Sequence, residues 1–361
     1  MSSGNATQAV ILAGGQGTRL RPLTLARAKP VVPLLNQPFL AWQLALLREH
    51  GVTDVILACS YRVEDVRQAL GDGGALGVRL RYVIETEPLG TGGGVRNATD
   101  LTRGTVFVLN GDVLTDADLS AMRRFHVSRR SRTTIFLMPV PDPRAYGLVE
   151  LDGEGRLTRF REKPTADEPI TTNTINAGIY LIDAALLARI PADRPVSIER
   201  EFFPALIADQ IPAYGWTAAT PYWRDIGSPS AYRAAQMDLL DGRVRTTLAP
   251  AGQRHDGAWL STGVRGAKDC IVAPTVVGAD VEIGRDARVG PRVVLCAGCR
   301  IGAGARVENA VLWEDVHVGE GARLTDCVVA AHARIGAHAE IGADVVLESG
   351  AVVADRARLH A

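Results

Sequence analysis

The chain has 361 residues, 47% of them hydrophobic and 22% charged, with a formal net charge of zero. That length suits two domains, and the balance excludes a disordered chain and gives no general attraction for nucleic acid. The stretch Met1–Gln8 is polar with no basic segment, and the first apolar run, Ala9–Ala13, is too short for a signal peptide or membrane span. A soluble, cytoplasmic protein is expected, with neither a membrane nor a nucleic acid as partner.

The first two-thirds alternate strand-like and helix-like segments. Gln8–Ala13, Asp54–Cys59, Arg79–Ile84 and Thr105–Asn110 are apolar runs of strand length. Phe39–His50 carries Leu40, Leu44 and Leu47 at helical spacing, with Gly51 where a capping glycine belongs, and Val63–Leu70 and Leu119–Arg129 are further helices. This order predicts an α/β domain with a Rossmann-like, mostly parallel sheet. Thr133–Val140, Leu148–Leu151, Thr158–Arg161 and Asn176–Ile182 read as additional strands.

From about Thr262 the texture changes. Val277, Ile283, Val289, Leu295, Ile301 and Val307 stand six apart, and Gly278, Gly284, Gly290 and Gly302 follow four of them. The register slips near Trp313, then resumes through Val318 and Leu324, and again through Ile335, Ile341, Leu347 and Val353. A period of six predicts a left-handed parallel β-helix, one apolar side chain per short strand pointing inward and glycine permitting the turn. The expected division is 1–242, a linker 243–261, and a β-helix 262–361. Of the five cysteines, Cys296 and Cys299 form a CxxC; Cys270 and Cys327 are at no usual zinc spacing, so buried thiols are the plainer expectation.

The sharpest local feature follows the first strand: Leu12, Ala13, Gly14, Gly15, Gln16, Gly17, Thr18, Arg19. Its glycines leave backbone N–H groups free to cradle phosphate, and Arg19 adds a fork of donors. A dinucleotide fingerprint would want glycine where Leu20 stands and an acid within residues 31–40, which hold none; the Gly-Lys-Ser/Thr of a P-loop is also missing. Lys29 and Lys163 each precede proline, which disfavours helix and predicts extended backbone at both. Val106–Leu109 ends in Asn110, Gly111 and Asp112, and in open parallel sheets ligands bind beyond such strand ends.

The stretch Gly14–Pro38, with Gly14, Gly15, Gly17, Thr18, Arg19, Leu20, Pro22, Leu23, Thr24, Lys29 and Pro30, resembles the triphosphate loop of the sugar-1-phosphate nucleotidyltransferases. Within that family the chain is most similar to mannose-1-phosphate guanylyltransferases with a hexapeptide-repeat tail. The resemblance implies a pyrophosphorylase joining GTP to a sugar or cyclitol 1-phosphate. It implies Leu12, Ala13, Gly14, Gly15, Gly17, Thr18, Arg19, Lys29, Gly90 and Thr91 at the nucleotide, the last two in a run where the family more often has alanine at 92 or 93. It implies Gly111, Gly147, Glu162, Lys163 and Asn176 at the sugar phosphate. It also implies Mg²⁺ held by Asp112 and Asp225, and catalysis by Arg19, Lys29, Asp112, Lys163 and Asp225.

The tail is expected to serve homo-oligomerisation or regulation. An acyltransferase in the β-helix is an alternative, because His317, His332 and His338 offer bases and the last two, six apart, are expected to stack on successive coils. A non-catalytic sugar-nucleotide sensor is a second alternative, opposed by the full set of Arg19, Lys29, Asp112, Lys163 and Asp225.

Overall fold

The structure is a computed structural model that describes residues 7–266 and 268–360; residues 1–6, the start of the expected first domain, lie outside the described residues. The described residues form two compact units. One holds the residues up to Gly15 with Gln43–Trp223; the other holds Gln16–Trp42 with the residues from Arg224 onward.

The first unit is built on a nine-stranded sheet. Gln8–Leu12 lies at its centre, parallel to Asp54–Cys59 on one side and to Thr105–Asn110 on the other, and Arg79–Ile84 continues the parallel part. These strands are apolar on both faces because both are covered: Ala9, Val10, Ile11, Val55, Ile56 and Val108 have no exposed surface. Beyond Thr105–Asn110 the sheet turns antiparallel. Thr174–Asp183 pairs with Thr105–Asn110, with Thr133–Pro139 and, through Ile175, with Gly147–Leu151, which in turn pairs with Leu157–Glu162. Gly90–Asn97, which carries no apolar period, is a helix all the same. Its glycines allow a close approach: a Cβ on Gly92 would lie 2.9 Å from the Val196 carbonyl, and one on Gly94 2.7 Å from Glu85. Among the described residues no helix is long and apolar enough to cross a membrane.

In the second unit the tail winds into three parallel ladders, as the period of six requires. Thr275–Val277 stacks on Val293–Leu295, then Val311–Leu312, Val328–Val329 and Val346–Leu347; the ladders from Glu282–Ile283 and Arg288–Val289 run alongside. The inward residues named above are buried in one core, with Leu347 packed against it, each contributing ~1.5–3 kcal/mol. The slip has a simple origin. The steps Leu295 to Leu312 and Leu312 to Val329 are one residue shorter than Val277 to Leu295, so Leu312 takes the inward position. Gln253–His255 and Ala258–Leu260 form a hairpin whose second strand joins the first ladder.

Two expectations change, and the one for the cysteines holds at Cys296, Cys299 and Cys327. Gly278, Gly284 and Gly302 are needed for coil-to-coil contact rather than for an unusual turn: a Cβ on any of them would lie 2.6 Å from backbone of the next coil. Only Gly290 of the four combines this with a positive φ, of 111°. His332 and His338 do not stack, because six residues separate two corners of one coil; both are exposed. Cys296, Cys299 and Cys327 are buried thiols, and desolvation pushes Cys299 and Cys327 up to about 12; Cys299 donates to the Trp313 carbonyl at 3.0 Å.

Gly302→Ala should destabilise the protein by ~1–3 kcal/mol, read as a lowered urea midpoint, because the coils cannot separate around one methyl group. Buried His126, hydrogen-bonded to the Thr134 hydroxyl at 2.8 Å, has its pKa lowered to about 4 by desolvation. Its folded value lies below the unfolded one of roughly 6.5, so its contribution is complete above that pH and is lost as pH falls toward 4. Between pH 7 and pH 5 the protein should therefore lose on the order of 1–2 kcal/mol more stability than His126→Gln, measured by denaturant titration at both pH values.

Candidate functional site

Two parallel strand ends set the site in the first unit. Leu12 is in register with Asn110, and the Gly111 N–H donates to the Leu12 carbonyl at 3.0 Å. A Cβ on Gly111 would lie 2.5 Å from that oxygen, so glycine alone lets the two chains leave the sheet side by side. Ala13, Gly14 and Gly15 thus emerge beside Gly111 and half-buried Asp112, at the carboxyl edge where the sequence placed them. Ser60 fastens the loop by donating to the Gly14 carbonyl at 2.6 Å. Buried Gln43 donates to the carbonyls of Asn110 and Val113, on either side of Gly111 and Asp112.

A second group in the same unit gathers Gly147, Glu162, Lys163 and Asn176. Gly147 faces Glu162 in the antiparallel pair, and a Cβ there would lie 2.6 Å from a Glu162 carboxylate oxygen. Burial, followed by the nearby Glu199 charge, raises the Glu162 pKa above the usual carboxylate value. Lys163 Nζ stands 3.6 Å from Glu162. Asn176 donates to the Tyr180 hydroxyl at 2.8 Å and accepts from the Gly178 N–H. Trp223 donates to the Ala177 carbonyl at 2.9 Å and packs edge-on against Tyr146, which precedes Gly147.

Gly90 and Thr91 open the helix Gly90–Asn97. The Thr91 hydroxyl donates to Glu199 at 2.8 Å and accepts from the Ile198 N–H. Sequence reasoning passed over Glu199, Tyr146, Tyr180 and Trp223. Glu199 is 9% exposed, and its sequence neighbours Ser197, Arg200 and Glu201 give no sign of that burial.

The second unit gathers Gly17, Thr18, Arg19, Lys29 and Asp225. Gly17 takes a left-handed φ of 64°, starting the short helical turn Thr18–Leu20, and its carbonyl accepts from the Thr24 hydroxyl at 2.7 Å. A Cβ on Gly17 would come within 3.1 Å of the Lys29 side chain. Arg19 approaches Asp225 at 3.6 Å and lies against Gly227, where a Cβ would meet its guanidinium at 2.8–2.9 Å.

Neither lysine has the extended backbone expected before proline. Lys29 begins the 3-10 turn Lys29–Val31, closed by Val31 N–H to Ala28 and Val32 N–H to Lys29; these bonds and the burial of Pro30 and Val31 outweigh the pre-proline preference. Lys29 is itself 9% exposed, not a surface lysine. Lys163 adopts a positive φ of 49°, with its N–H bonded to the Tyr146 carbonyl.

The nucleotidyl transferase family model matches residues 8–242, almost two-thirds of the chain. The chain belongs to that family. A second model, the EIF2B subunit epsilon LbH domain, matches residues 255–359 of this nucleotidyl transferase, the span of its left-handed β-helix. The chain is 44% identical to a mannose-1-phosphate guanylyltransferase of Mycobacterium tuberculosis, over 83% of each chain. It is 35% identical to a probable mannose-1-phosphate guanylyltransferase of Oryza sativa, over 91% of this chain and 87% of that one. Among solved structures, HddC from Yersinia pseudotuberculosis matches with a TM-score of 0.56 and 29% identity, covering 64% of this chain and 99% of that one.

Proposed function

We propose that this nucleotidyl transferase joins GTP to mannose 1-phosphate, or to a close sugar or cyclitol 1-phosphate, releasing pyrophosphate. The observation that carries the reading is the similarity at 44% identity over 83% of both chains to a mannose-1-phosphate guanylyltransferase. Residues 1–242 form the catalytic domain in this reading, 243–261 the linker and 262–361 the β-helix domain, through which the chain assembles with copies of itself.

Gly14, Gly15, Gly17 and Thr18 present N–H groups to the triphosphate, with Leu12 and Ala13 behind them and Gly90 and Thr91 toward the base. Arg19 and Lys29 neutralise its charge. Gly111, Gly147, Glu162, Lys163 and Asn176 receive the sugar phosphate, the lysine as point charge and the carboxylate as acceptor for hydroxyls. The phosphate oxygen is already an anion, so attack on the α-phosphorus needs no general base, and catalysis rests on positioning and charge neutralisation.

Asp112 and Asp225 would hold a divalent cation, taken as Mg²⁺. Carboxylate oxygens are the hard donors that ion takes, usually one or two beside phosphate oxygens and water. The fit rests on the chemistry of these two carboxylates; Arg19, 3.6 Å from Asp225, would share that carboxylate with the ion. When bound, the ion would offset negative charge on the phosphates.

Lys29→Ala and Asp225→Ala should each lower kcat by roughly 10²-fold or more, the scale of one lost transition-state contact. Pyrophosphate release across GTP, ATP, UTP, dTTP and CTP against mannose, glucose and other sugar 1-phosphates tests the assignment. Fastest turnover with GTP and mannose 1-phosphate is expected, and near-normal turnover in either variant would refute the roles.

A further inference from the structure

The first ladder of the β-helix closes its coils with pairs of residues: Gly278 and Ala279, Cys296 and Ala297, Trp313 and Glu314, Ala330 and Ala331, and after Leu347 Glu348 and Ser349, stacked by backbone hydrogen bonds. Three of these five pairs are small and uncharged and one alone carries an indole, so coil closure requires neither an indole nor a carboxylate. The exceptional pair falls between the two short steps, where the hexapeptide register slips.

Both side chains turn to the segment that carries Lys29. Glu314 takes the Arg27 guanidinium through two bonds of 2.9 and 3.0 Å, and that guanidinium lies 4.9 Å from the centre of the Trp313 ring. The fork-to-fork pair fixes the plane of Arg27 as well as its position. Trp313 is fully buried, and its indole N–H donates at 3.0 Å to the Tyr232 hydroxyl, which donates in turn to the Pro33 carbonyl. Lys29 therefore sits between two anchored points, Arg27 and Pro33.

We infer that Trp313 and Glu314 are positioning residues for the triphosphate segment: they hold Arg27 and Pro33, and so set where Lys29 and its loop stand. The inference rests on the reaction proposed above and gives the β-helix a part in that site. A guanidinium gripped at both nitrogens two residues before Lys29 limits how far that loop shifts, and misplacement on the order of 1 Å is enough to cost a reaction up to about 10²-fold.

In the full-length chain, Glu314→Ala and Arg27→Ala should each lower kcat/KM for the triphosphate roughly 10-fold, while KM for the sugar phosphate at saturating triphosphate stays within about twofold. Arg27→Lys, which keeps charge but loses the fork, should show the same loss, and the swap of Arg27→Glu with Glu314→Arg should recover part of it. Unchanged kcat/KM in both alanine variants overturns the inference. So does a loss shared equally by both substrates and matched by a lowered melting temperature. Should Glu314→Ala not fold, Trp313→Phe removes the indole donor and is judged by the same split. Wild-type turnover is measured first: silence with every triphosphate overturns the proposed reaction, while calorimetric GTP binding to wild type and Glu314→Ala still decides the positioning role.

Discussion

The Pro33 carbonyl accepts two hydrogen bonds from one helix, Pro229–Leu240: the Tyr232 hydroxyl and the Gln236 amide both reach it. Gln236, with no exposed surface, also accepts from the Leu35 N–H at 2.7 Å, and Tyr232 receives the Trp313 indole. None of these groups has water to fall back on, so releasing any one leaves a buried polar atom unsatisfied at a cost of ~1–3 kcal/mol. The segment 33–36 can therefore occupy one place only. Val32 and Leu34 are fully buried beside it, and the Trp42 indole closes the stretch by donating to the Leu34 carbonyl. Anchored there, the chain running back to Ala28 brings the Lys29 side chain against Gly17.

The sheet imposes a different constraint, one of spacing rather than of polar satisfaction. Parallel strands ending at Leu12 and Asn110 deliver two loops to one edge, and Gly111 lets them stay close where a larger residue would force them apart. Here the geometry comes from backbone alone, and side chains such as Gln43 and Ser60 only fasten it.

Much of this was legible from residue pattern. The four parallel strands come from continuous apolar runs, and the helix at Phe39 and the inward column of the β-helix from apolar periods of two kinds, because burial enforces them position by position. Other features left no periodic trace. The helix Gly90–Asn97 is built from glycines chosen for contact with Val196 and Glu85, which are neighbours in space. Lys29 and Lys163 depart from the pre-proline rule because hydrogen bonds to neighbouring backbone override a local preference of modest size. Glu199 went unread since its partner, Thr91, lies 108 residues away in the chain. Trp313 showed only as a lapse in the repeat, and the lapse marked the coil that differs from the others.

The second unit is made of one short stretch near the beginning of the chain and a long one at its end. Arg27 and Glu314 are 287 residues apart in sequence, and Leu35 and Gln236 are 201 apart. During synthesis the ribosome releases the early stretch long before its partners exist. The parallel sheet has its central strands in hand by Asn110, whereas residues 16–42 must wait for Gln236 and then for Glu314 before these contacts close. The order of translation therefore makes the lysine-bearing segment early to be made and late to be fastened, and a chain cut short before the β-helix would keep the Tyr232 and Gln236 bonds to Pro33 but lose the Glu314 grip on Arg27.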